Sequence, residues 1–259
     1  MDSSYWSKPN VVAATRDFVC IRLATYEDKK EVEFLNKIYR SRSGQLENTV
    51  FALLAADGQT KLSRSGRSPD FAFRGERNFI AGLNEIAKAK SNSQKRFSDA
   101  TLPVTKNLDL GLNIASSDLI QLIVVVGEDE QVVQRLSQKA LPLAWNEKIG
   151  GQFVFATAKT ASELKPIGLD QAKNGIYVVE PGPFGMSGKV VAKFDESIDI
   201  KKATEKLAAL SGAYKVSKDY QQHVRAGISL GIEWKTETPV TDQQSLRANR
   251  RGNERARRR

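Results

Sequence analysis

The eight residues Leu119–Val126, "LIQLIVVV", constrain the fold more than any other stretch of this chain. The run is β-branched and apolar, broken only by Gln121, and has the length of a strand rather than of a helix. A strand apolar at nearly every position has no solvent face, so it belongs inside a sheet covered on both sides. It is also the longest apolar run in the sequence and falls far short of the roughly 18 residues needed to span a bilayer.

The residues that follow extend this reading. "EDEQVVQRLSQKALPL" predicts an amphipathic helix ending near Pro142, and "GQFVFATA" a second strand. "SELKPI" is a weak helical turn; "GIYVVEP" and "SGKVVAKF" form a strand pair around the glycine-rich turn "GPFGMSG". "IKKATEKLAALSGAY" is a closing helix with Gly212 placed as its stop. A parallel crossover followed by an antiparallel pair and a helix implies a mixed sheet with helices on both faces.

The first half shows the same order. A short helix over Asn10 to Arg16 leads into a strand over Phe18 to Tyr26, and "EDKKEVEFLNKIYR" places Val32, Leu35 and Ile38 at helical spacing. "NTVFALLAADGQTKLSRSG" reads as strand, Asp57-Gly58 hairpin turn and strand, and "ERNFIAGLNEIAKAK" as an amphipathic helix. The polar stretch Ser91 to Asn107 reads as a linker. The expected organisation is therefore a domain over 1–90, a linker over 91–107, a second domain over 108–215, a C-terminal extension over 216–246 and an Arg-rich tail over 247–259.

Two counts exclude much chemistry. One cysteine, Cys20, rules out an intramolecular disulfide, a CxxC dithiol and thiolate-rich zinc sites; one histidine, His223, leaves no metal-binding His pair. No metal and no cofactor is expected. The net charge of +10 is uneven: Arg247, Arg250, Arg251, Arg255, Arg257, Arg258 and Arg259 against Glu254 give the tail +6, leaving +4 for the body. Arg-rich ends with Gly and Asn are normally disordered. Their attraction to phosphate backbones, RNA or anionic lipid would be non-specific, since no aromatic is interleaved to stack on bases.

"SYWSKPNVV" near the start carries a resemblance. In thioredoxin-like proteins a strand runs into Trp-Cys-Gly-Pro-Cys at a helix start; here Trp6-Ser7-Lys8-Pro9-Asn10 stands there, followed by the strand "FVCIRLATYED" and the hairpin "VFALLAADGQTKLSRSG". The chain thus resembles the thioredoxin-like superfamily, by motif over Ser4 to Ala89 and by element order alone over Leu119 to Tyr214. The resemblance implies an α/β fold of two tandem thioredoxin-like domains, mixed sheets covered by helices. Both cysteines are replaced, by Ser7 and Asn10, so no thiolate is present for dithiol exchange. No proline stands at Asn48-Thr49, where the family has its cis-proline, and "MDSSY" is too short for the family's first buried strand.

Two readings of Trp6, Ser7, Pro9 and Asn10 stay open. In one, Trp6 packs on the core and Ser7 caps the helix; in the other, the segment is a degenerate active site at a helix start, able to hold an anion or a partner's backbone. Cys20, mid-strand among Phe18, Val19, Ile21 and Leu23, is expected to be a buried structural thiol, with a reactive role as the alternative. "PGPFGMSGKV" lacks the glycine that a phosphate loop needs and lies between strands, so it implies no nucleotide. Asp219 to Asp242 fits neither domain: a helix ending near Gly227, then an extended piece that docks onto the body.

The expected function is a redox-inactive thioredoxin-like binding or scaffold protein acting on another protein. The alternatives are a single-cysteine or serine enzyme of peroxidase or transferase type using Cys20 or Ser7, and polyanion or RNA binding through the tail. Asp2 and Lys8 flank no apolar core, so the default expectation is a soluble cytoplasmic protein, extracytoplasmic if a signal peptide was removed.

Overall fold

A computed structural model describes residues 5–6, 8–40, 44–47, 49–90, 101–171, 173–214, 220–232, 235–241 and 246–247. Two compact units result: residues 1–96 with 233–259, and residues 97–232.

The first unit packs helices around aromatic rings. Helix α1 (Pro9–Thr15) has Pro9 in its first turn, where the missing N–H costs nothing, and Lys8 as its N-cap residue. Helix α2 (Lys29–Ile38) starts at Asp28, whose carboxylate accepts the N–H groups of Lys30 and Glu31 at 2.8 and 3.0 Å. A short helix α3 (Pro69–Phe73) and the longer α4 (Glu76–Lys90) follow. Tyr5, Val11, Ala14, Phe51, Phe79 and Leu83 bury their side chains together, with Trp6 and Phe73 packed against them.

Between α2 and α3 the chain turns back at Asp57-Gly58. Gly58 adopts a φ of 67°, open to glycine at no steric cost, and the Asp57 carboxylate accepts the N–H groups of Gln59 and Thr60 at 2.8 and 2.9 Å. Antiparallel bridges join Leu54 to Lys61 and Phe51 to Gly66.

Residues 235–241 also belong to this unit. The Tyr26 carbonyl accepts the N–H groups of Glu237 and Thr238 at 2.9 and 3.2 Å, and the Thr238 hydroxyl at 3.3 Å. Val240 packs against Tyr26, Val32 and Leu46.

The second unit holds the sheet. Helix α5 (Leu108–Asp118) precedes β1 (Gln121–Val126), then α6 (Glu130–Ala144), β2 (Phe153–Ala158), α7 (Ala161–Leu164), β3 (Gly175–Pro181), β4 (Gly188–Phe194), α8 (Ile200–Ala213) and α9 (Tyr220–Ser229). The strand order is β2-β1-β3-β4: β1 runs parallel to β2 and antiparallel to β3, and β4 is antiparallel to β3. Every residue of β1 is buried. Ile123, Val125, Ile176 and Val178 meet Leu136, Ala140 and Leu143 of α6 and Ala203 and Leu207 of α8. On the other face, Leu122, Val124, Val126 and Val179 meet Leu108, Leu112 and Ala115 of α5 and Leu164 of α7. At roughly 2 kcal/mol per buried aliphatic side chain, the five of β1 contribute about 10 kcal/mol before entropy is set against them. Gln121, the polar break in the run, donates its amide to Glu180 Oε1 at 3.3 Å.

The α/β class and a mixed sheet covered by helices thus hold for the second unit; the first departs from expectation. Among its described residues there is no strand, only the isolated bridges of the Asp57-Gly58 turn. Phe18 to Tyr26 has strand composition but joins no bridge among the described residues, and Val19 and Ile21 are 56% and 71% exposed. β propensity measures fit to a pleated neighbour, which this stretch does not find there.

Boundaries shift as well. Residues 101–107, expected in the linker, serve the second unit: Leu102 is in its core, Val104 bridges Phe155 in parallel, and Asn107 caps α5. The extension over 216–246 is shared, with α9 in the second unit and the segment from 233 in the first. Helix α6 carries Pro142 inside it and ends at Ala144, and α8 runs through Gly212 to Ala213. The weak turn at "SELKPI" is a capped helix, Thr160 and Glu163 forming a reciprocal capping box.

Candidate functional site

The amino-terminal motif comes apart around α1. Trp6 is half-buried, its ring 6.0 Å from Phe51 and 5.8 Å from Phe79, which is a core role. Ser7 lies outside the described residues. Lys8, not Ser7, is the N-cap residue; no side chain caps the helix there, and the Lys8 ammonium pairs with Glu76. Pro9 fills the first turn and Asn10 is exposed. With seven residues, α1 is too short to gather a helix dipole for an anion.

Beside Trp6, the Tyr5 hydroxyl donates to Asp70. Burial, with the Asp70 bond and the charges of Asp70 and Glu76, pushes the Tyr5 phenol up to about 12.

Cys20 is exposed, against the expectation of a buried thiol. The chain leaves α1 at Thr15 without entering a sheet, so no strand of the described part of the unit covers Val19, Cys20 and Ile21. Partial desolvation by the surrounding protein nevertheless raises the thiol's pKa, and a hydrogen bond with Thr15 opposes it. That direction is the reverse of what a peroxidatic cysteine needs. Thr15 closes α1, whose seven residues span about 10 Å, so Cys20 and the Trp6–Pro9 end lie at opposite ends of that helix. The structure does not bring them together.

In the second unit, β1 passes into α6 through Gly127-Glu128-Asp129-Glu130. A Cβ at Gly127 would lie 2.9 Å from Val132, Val133 and the α6 backbone, so only glycine admits this approach. The Gly127 N–H bonds to Ala158 O at 3.2 Å, and the Glu128 N–H to Asn174 Oδ1 at 3.0 Å. Asp129 caps α6 through the Val132 N–H at 2.8 Å. Glu130 pairs with Lys159 at 2.8 Å; that bond holds the Glu130 carboxyl below the usual range and the Lys159 ammonium above its own. Glu196 pairs with Arg135 at 3.0 Å, and the Asn174 amide reaches both Glu128 and Glu196 at 3.4 Å.

Each of these carboxylates is engaged, and no thiol or imidazole stands among them. The turn can orient a loop or present charge; it offers no thiol, imidazole or hydroxyl as a nucleophile, and its Glu130 carboxyl is held in the ionised form by Lys159. Sequence reading passed over it because its residues look like an ordinary acidic helix start. The available signal was Gly-Glu-Asp-Glu placed directly after a buried strand.

The single histidine, His223, lies on α9. Among the described residues, no three His, Cys, Asp or Glu side chains converge as metal ligands, and no helix is long and apolar enough to cross a membrane. Of the tail arginines, Arg247 is exposed; Arg250, Arg251, Arg255, Arg257, Arg258 and Arg259 lie outside the described residues. No protein-family model, curated protein or solved structure matches the chain.

Proposed function

We propose that this chain is a redox-inactive, thioredoxin-like binding protein that acts by contacting another protein. The observation that carries the reading is the passage of β1 into α6 through Gly127-Glu128-Asp129-Glu130. The thioredoxin resemblance puts a dithiol at such a strand-to-helix turn; this one has paired carboxylates. The element order and the β2-β1-β3-β4 sheet support the fold side of the proposal. A second thioredoxin-like copy over the first unit has only the sequence motif and the Asp57-Gly58 turn behind it, because that unit has no strand among its described residues. Fold alone fixes no activity, so the binding role rests on what the turn lacks.

The single-cysteine alternative is the weaker one, because the Cys20 thiol is exposed but shifted away from the thiolate. The test has two parts on the full chain. Insulin reduction by dithiothreitol should run at the uncatalysed rate. Proteins captured from an extract of the source cells should be the same with and without dithiothreitol, and the same for Cys20→Ser. Catalysed insulin reduction, or capture abolished by the reductant, would replace the proposal with thiol chemistry at Cys20. Absence of any captured protein would remove the binding role.

A further inference from the structure

We infer that the groove between α2 and Leu46 is a docking site for an extended peptide, and that residues 235–241 of the chain occupy it as an internal ligand. The inference concerns the first unit and does not depend on the redox-inactive reading.

The occupant's chemistry is written in the contacts. Glu237 places its carboxylate on the Lys29 N–H, the opening amide of α2, at 3.0 Å. Thr238 gives both its N–H and its hydroxyl to the Tyr26 carbonyl at 3.2 and 3.3 Å, beside the Glu237 N–H at 2.9 Å. Val240 enters the small apolar cluster of Tyr26, Val32 and Leu46, with Leu35 at its edge. Thr241 donates its hydroxyl to Leu46 O at 3.4 Å. The groove therefore selects Glu-Thr-x-Val-Thr in extended form. The carboxylate is read by a helix amide, the threonine by a main-chain carbonyl, and the aliphatic side chain by the cleft.

The hold is light. Lys235, Thr236, Glu237 and Pro239 are exposed, and Val240 is only half-buried. A cavity of about 310 Å³, lined by Asn36, Arg40, Gln45, Thr238 and Pro239, lies alongside. A segment fixed by one exposed and two part-buried side-chain bonds, two main-chain bonds and one half-buried side chain opens at low cost. When it lifts, Tyr26, Val32 and Leu46 are uncovered, and a peptide of like sequence from a partner can take its place.

Hydrogen exchange on the full-length protein tests this. In Val240→Asp, the amides of Lys29, Glu237 and Thr238 should exchange about tenfold faster, the scale of losing one half-buried aliphatic contact, while α4 stays as protected as before. A synthetic peptide of residues 235–241, added at millimolar concentration, should restore protection at Lys29; the same peptide with Asp in place of valine should not. Unchanged exchange in Val240→Asp would overturn the internal-ligand role, and failure of the peptide to restore Lys29 would overturn the docking site. Should Val240→Asp also loosen α4, Thr238→Val, which removes one surface hydroxyl at constant volume, carries both measurements with the same criteria.

Discussion

Phe79 is the residue on which the first unit should depend most. Its side chain is 1% exposed, and its ring stands 5.7 Å from Tyr5, 5.8 Å from Trp6, 5.5 Å from Phe51 and 5.3 Å from Phe73. Phe79→Ala removes the ring around which the other four are arranged. Core Phe→Ala changes cost about 3–5 kcal/mol, and the edge-on ring contacts place this one near 4 kcal/mol. Domains are commonly stable by about 5–15 kcal/mol, so the first unit would be left close to its threshold. With a urea slope of about 2 kcal/mol/M, the midpoint of its transition should fall by about 2 M. Urea unfolding followed by segment-resolved hydrogen exchange reads the two units separately. Amides of α1 and α4 should lose protection early, while those of β1 and β3, held by the second unit's own core, should keep theirs. A loss below about 1.5 kcal/mol would refute the aromatic cluster as the unit's core. Equal loss in β1 would refute the division into two separately stabilised units.

Three further outcomes follow from the same structure. Cys20 should alkylate in the native protein because it is exposed, but more slowly at pH 7–8 than free cysteine, with the rate still climbing above pH 9, because its thiolate is disfavoured; labelling as fast as free cysteine at neutral pH would contradict the raised pKa. For Tyr5, the folded pKa of about 12 lies above the ordinary value of 10.0, so the neutral phenol is favoured by folding; its contribution is complete below pH 10 and is lost as pH rises towards 12. Melting of the first unit should decline across that window, and Tyr5→Phe should flatten the decline. Deleting residues 247–259 removes +6 of charge and no apolar side chain larger than alanine, so a thermal melt should move by less than about 0.5 kcal/mol while polyanion binding at low salt falls; equal binding by both forms would place the basic surface on the body.

The second unit was legible because its information is local. "LIQLIVVV", "GQFVFATA" and "GIYVVEP" are dense apolar runs between polar helix starts, and Asp129 and Asp199 cap the helices that follow their strands or turns. The Asp57-Gly58 turn was legible for the same reason. The stretch over Phe18 to Tyr26 was not, since a strand exists only where a neighbour completes its hydrogen bonds, and propensity is silent on neighbours. Cys20 was misplaced with it, because burial was deduced from a sheet that the described residues do not form. Asn107 before Leu108, Leu112 and Ala115 did signal α5, but the polar stretch ahead of it drew that boundary into a linker. Of the candidate site, the missing sulfurs were plain from the sequence. Trp6 as a core ring was one of the two readings its segment allowed, and its contacts with Phe51 and Phe79 agree with it. The Glu237–Thr241 contacts with α2 and Leu46 depend on residues distant along the chain, and no periodicity reports those.

The bonds from Glu237 and Thr238 to Tyr26 also set a timetable for synthesis. The Thr238 hydroxyl and the Tyr26 carbonyl it reaches are 212 residues apart. A ribosome adding about 5–20 residues per second leaves Tyr26, once emerged, waiting about 10–40 s for that partner. The sheet of the second unit is translated entirely within this interval, from Gln121 to Phe194, and can close before the first unit is complete. The unit that begins before the sheet is thus completed after it, and through that interval Tyr26, Val32 and Leu46 are open to chaperones and to any peptide that fits.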